Sequence, residues 1–140
     1  MVNRMKRQQQ TNNQKEALTK EKNEQVLALE KEVALGLWIQ VVGQLIEVKG
    51  LSELLRIEND TSGVGEQQIL TGVWIRTIGQ ILEAISVTSQ ISETDLTQLL
   101  QEQKVALTGD LLVALGAAYE TVGGIRVLEE ETVKTARIIP

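Results

Sequence analysis

The chain is 140 residues long and has no cysteine, no histidine and no phenylalanine. That composition excludes disulfides, thiolate and imidazole metal ligands, a cysteine nucleophile and the usual histidine general base, and it leaves the core to Leu, Ile and Val. Residues 1–32 hold seven Lys/Arg against five Asp/Glu, a net of +2, and residues 33–140 hold seven against fourteen, a net of −7, so the body is a poor electrostatic match for nucleic acid or anionic lipid.

Residues 1–13 are polar and glutamine-rich (Gln8, Gln9, Gln10) with a basic start at Arg4, Lys6 and Arg7. They lack the apolar run of a secretory signal and read as a disordered arm. From Gln14 the composition turns helical, with Val26, Leu29 and Val33 at helical spacing among Glu and Lys. This helix is expected to run to Lys49, with Gly50 as an end or kink and 51–58 as a short continuation.

Asn59, Asp60, Thr61, Ser62 and Gly63 form the clearest loop signal. A second helix is expected over 66–90. Ser92, with Asp95 three residues on, is the expected cap of a third helix reaching Leu107. Thr108, Gly109 and Asp110 are expected to separate it from a fourth helix over 110–134. Residues 132–139 are β-branched, but a lone strand has no partner, so a frayed tail is preferred. No stretch of about 18 apolar residues exists, and no membrane-spanning helix is expected.

Three glycine triplets recur at seven-residue spacing: Gly36, Gly43, Gly50; Gly65, Gly72, Gly79; and Gly109, Gly116, Gly123. A helix-interior glycine costs about 1 kcal/mol relative to alanine, so its repetition implies close backbone approach. The segment Gly36 to Glu47 also matches Gly72 to Glu83 at a period of 36, sharing Gly, Trp, Ile, Gly, Gln and Glu. A worn third copy begins at Val113, with Ala118 in place of tryptophan. These are the marks of a duplicated supersecondary unit. The Gly-x-Trp-Ile-x-x-x-Gly-Gln pattern resembles an uncharacterised family of small repetitive proteins of spore-forming bacteria, over 33–90 and more loosely 110–128. The resemblance implies a bacterial cytoplasmic helical protein and no site residues.

At about 100° per residue, Gly36, Gly43 and Gly50 share one helix face, flanked by Gln40, Gln44 and Glu47. Trp38 and Leu45 lie nearly opposite. In the second copy Gly72 and Gly79 are flanked by Arg76, Gln80 and Glu83, with Trp74 facing away. The expected interface residues are therefore Gly36, Gly43, Gln40, Gln44, Gly72, Gly79, Arg76 and Gln80, with Trp38 and Trp74 as core or interface anchors. Alternatively, the glycines simply sit on a solvated face.

The rival chemistries are weaker. Glu47 and Glu83 are repeat-equivalent and could meet as an acid/base pair, or be solvated or paired with Arg76. Glu129, Glu130 and Glu131 read as a solvated helix end rather than a metal site. Gly63-Val64-Gly65 and Gly123-Gly124 lack the lysine of a phosphate loop. Asn59, Asp60 and Ser62 lack the closing glutamate of a calcium loop.

Together these readings predict an all-α protein, a helical bundle of about four helices with an internal duplication. One helical domain spans 14–140, with repeat units near 30–58, 66–90 and 110–134. The expected role is structural or interactive and non-enzymatic, in the cytoplasm, with no cofactor or metal and no nucleic acid partner. The expected partner is a second copy or another helical protein. The alternative is a helical module that binds a small apolar ligand or lipid in its aliphatic interior.

Overall fold

A computed structural model of the chain describes residues 1–58 and 63–138, and it is all-α. Three helices follow in order: α1 (Val2–Ile57), α2 (Val64–Gln90) and α3 (Leu96–Ile138), with no strand among the described residues. The loop expected at Asn59, Asp60, Thr61 and Ser62 lies outside the described residues, as do Ile139 and Pro140.

Three helices stand where four were expected, because glycine does not interrupt them. α1 continues through Gly50, and α3 continues through Thr108, Gly109 and Asp110. Good helix formers on both sides carry the backbone hydrogen bonds across each glycine. α1 also begins at Val2, so the arm expected to be disordered over 1–13 is helical and exposed. Its Lys, Arg and Gln residues favour helix, and no proline or glycine breaks the run. The 132–139 segment is likewise helical as far as Ile138.

The start of α3 differs from its expected cap. Ser92 sits in the turn with a positive φ of 63°, and Asp95 does the capping, accepting a 3.0 Å bond from the Thr97 N–H. At the start of α2, the Glu66 carboxylate accepts a 2.7 Å bond from the Gly63 N–H, which satisfies one of the donors a helix start leaves free.

α2 is the middle helix. It packs against α1 on one side and α3 on the other, while the backbones of α1 and α3 do not approach each other closely among the described residues. The result is an open helical layer rather than a closed bundle. At about 1.5 Å per residue the 56-residue α1 is about 84 Å long. Its first thirty-three residues are almost entirely exposed.

The contact between α1 and α2 is apolar and antiparallel. Leu37, Val41 and Val48 of α1 and Val73, Thr77 and Ala84 of α2 are buried, with Leu37, Val41 and Ala84 in one cluster bordered by Ile81 and Val87. Each of these α2 residues stands 36 positions after its α1 counterpart, so corresponding faces of the two helices are turned towards each other. This face lies roughly 130° around the helix from the glycines.

Candidate functional site

The second and third glycine triplets meet. α2 and α3 run antiparallel, with Gly65 against Gly123, Gly72 against Gly116, and Gly79 against Gly109. All six are buried. A Cβ added at Gly72 would lie 2.6 Å from the Gly116 carbonyl oxygen, and one at Gly79 would lie 2.5 Å from that of Gly109. Glycine is therefore required here, since any side chain would strike the opposite backbone. Such contact trades the propensity cost of glycine for dispersion and Cα–H···O attraction between main chains. Ser86 extends the α2 row by one heptad; it is fully buried, and its hydroxyl has no hydrogen-bond partner in the structure.

The first triplet does not join them. Nothing lies within 4 Å of an added Cβ at Gly36, Gly43 or Gly50. Of the expected interface glycines, Gly72 and Gly79 thus sit in a packed seam with α3, while Gly36 and Gly43 line an open one. The sequence does not foretell this pairing, because all three triplets have the same spacing. Adjacency does not distinguish them either, since α1 and α2 are antiparallel neighbours just as α2 and α3 are.

Arg76 is the polar centre of the layer. Its Nε donates to Gln44 Oε1 at 3.0 Å and its Nη2 to Glu47 Oε2 at 2.8 Å on α1. Its Nη1 lies 3.3 Å from Glu120 Oε2 on α3. That second pairing is ionic without hydrogen-bond alignment, since Glu120 Oε2 is buried and otherwise unbonded. One guanidinium therefore ties both outer helices to the middle one. Gln80 is buried and donates to Glu83 of its own helix at 3.2 Å. Gln40 is exposed, so the hydrogen bonding expected across the glycines is made by Gln44 and Arg76, at the contact between α1 and α2.

Glu47 and Glu83 do not meet. Glu47 pairs with Arg76, and Glu83 lies against Asp110 of α3. Burial, the Asp110 charge and a hydrogen bond with Asp110 push the Glu83 carboxyl above its ordinary value, against the opposing pull of Gln80. A raised folded-state pKa means that the folded protein takes up this proton before the unfolded chain does. Stability from this group therefore rises as pH falls through the raised value, and the gain is complete below the ordinary carboxylate value. Replacing Glu83 with glutamine is expected to stabilise the protein at neutral pH. Urea unfolding should show that advantage shrinking as the pH is lowered towards about 4; an advantage independent of pH would contradict the assignment.

The tryptophans are not core residues. Trp38 is 39% exposed and Trp74 46% exposed. The close helix contacts use medium and small side chains, and Trp38 falls at the edge of the contact between α1 and α2. Trp38 is held there by a 2.9 Å bond from its Nε1–H to the Thr88 hydroxyl.

The packing is inverted relative to an ordinary bundle. The buried residues of α3 are Gly109, Gly116 and Gly123, while its Leu111, Leu115, Val122 and Ile125 are exposed. On α2, Trp74, Ile78 and Ile85 are exposed in the same way, and on α1 so are Leu35, Ile39, Val42 and Ile46.

No family model, no curated protein and no solved structure matches the chain.

No group of three or more acidic side chains placed to hold a metal ion occurs among the described residues. α3 is long and apolar enough to cross a membrane by length and composition, and only 11% of its most apolar stretch is buried. The expectation of no spanning helix did not allow for this. The charges within that stretch, Glu120 and Arg126, are too sparse to offset its leucines and valines.

Proposed function

We propose that this is a non-enzymatic structural protein that works by self-association, its open helical layer closing against further copies. The single observation that carries the reading is the inverted packing of α3: glycines fill its contact with α2, and rows of large aliphatic side chains remain outside. Contiguous exposed apolar surface of this kind marks an interaction surface rather than a finished exterior. The similarity of Gly36–Glu47 to Gly72–Glu83 at a period of 36 supports an origin by duplication, in which each copy offers one apolar face and one glycine face. A bacterial cytoplasmic setting, implied by the resemblance to the spore-former family, belongs to the same proposal.

Light scattering across a dilution series tests it. The expected result is a dimer or larger species at micromolar concentration that dissociates on dilution. A monomer at every concentration would contradict the reading.

A second reading, a helical module that places its apolar faces in lipid, is favoured by the length and apolarity of α3. Flotation with neutral phosphatidylcholine vesicles separates the two. Binding would favour lipid as the covering medium, and an oligomer that does not float would favour self-association. The small buried apolar core of Ala34, Leu37, Val41, Val48, Val73 and Ala84 makes an interior ligand pocket the weaker form of this reading.

A further inference from the structure

We propose that the open glycine seam of α1 is covered by α1 of a second copy, antiparallel about a two-fold axis at Gly43. The inference rests on the self-association reading above and specifies one interface within it, made by α1 and separate from the exposed apolar rows of α2 and α3. Its first support is the fate of the corresponding face of α2. Gly72 and Gly79 stand 36 residues after Gly36 and Gly43, and their row is covered along its length by a helix that presents its own glycine heptads. On α1 the matching row is bare, although the other face of α1 is packed as its α2 counterpart is.

The second support is that the α1 row is self-complementary. Leu29, Gly36, Gly43, Gly50 and Ile57 stand at consecutive heptad positions. Turned about Gly43, Gly36 meets Gly50 of the second copy and Gly43 meets itself, which reproduces the three glycine pairs seen between α2 and α3. At both ends Leu29 meets Ile57, and these are 60% and 80% exposed in the single chain. An apolar side chain thus closes each end of the seam, as an isologous two-fold contact requires. Among the described residues, the glycine rows of α2 and α3 are already used within the chain, so the bare row a second copy can offer is its own α1.

Since the chain has no cysteine, single-cysteine variants report the contact directly. Gly43→Cys is expected to form a disulfide-linked dimer on mild oxidation, because residues on the axis lie within disulfide reach. Gln103→Cys and Thr121→Cys, at exposed polar positions of α3 away from the seam, are expected to cross-link poorly. Gly43→Leu is expected to weaken the dimer roughly tenfold or more through overpacking. It should leave the circular dichroism of the protomer unchanged, because nothing within the chain lies near Gly43. A dimer that survives Gly43→Leu and cross-links no better at Gly43→Cys than at Gln103→Cys or Thr121→Cys would overturn this interface while leaving self-association intact. A wild-type monomer would overturn both.

Discussion

Alanine at Gly116 is expected to destabilise the protein by about 1–3 kcal/mol, the usual cost of forcing extra volume into a packed contact. Alanine at Gly124, eight residues along the same helix, is expected to stabilise it by up to about 1 kcal/mol. The two substitutions gain the same helix propensity and differ in what the new methyl meets. At Gly116 it would lie 2.6 Å from the Arg76 backbone nitrogen and from the Gly72 carbonyl oxygen. Neither is a side chain that can rotate aside, so α2 and α3 must separate, and the neighbouring glycine pairs lose contact as well. At Gly124 the methyl meets nothing within 4 Å. Urea unfolding of the two variants gives the sign of each effect directly. The buried apolar core is small, so the double variant Gly72→Ala/Gly116→Ala is expected to lose the α2–α3 pairing altogether.

Replacing Arg76 with methionine is expected to cost about 1–3 kcal/mol, the penalty for leaving partly buried charged partners without their counter-charge. Methionine keeps most of the aliphatic volume, so the loss is electrostatic. Glu47 and Glu120 then face each other across α2 with no cation between them, and Gln44 Oε1 keeps only the longer 3.5 Å bond from the Thr77 hydroxyl. Partial exposure of the three side chains keeps the cost below that of a fully buried ion pair. Adding Glu47→Gln and Glu120→Gln to the methionine variant should restore part of the lost stability. A triple variant no more stable than the single one would show that Arg76 acts through packing alone.

The all-α class was legible in the sequence, because heptad and helical periodicity run through most of the chain. Helix boundaries were less so. Gly50 and Gly109 were read as breaks, yet the backbone is helical through both. At Gly109 the packed seam offsets the propensity cost, and that contact is tertiary. Asp95, directly before the periodic run of α3, is a recognisable cap that Ser92 obscured. The value of the glycine faces was visible from their spacing, but which rows pair was not. The exposure of Trp38 and Trp74 was hidden for a related reason. The spacing places them opposite the glycines, on a side that a closed bundle would bury, and the layer remains open.

The account depends on main-chain contact between α2 and α3, and nuclear Overhauser spectroscopy measures that most directly. Cross-peaks between the α-protons of Gly72 and Gly116, Gly79 and Gly109, and Gly65 and Gly123 are expected, since these backbones approach more closely than helices at the usual ~8–10 Å axial separation. Their absence, with contacts only between longer side chains, would mean that the helices do not meet at the glycines and would contradict the account.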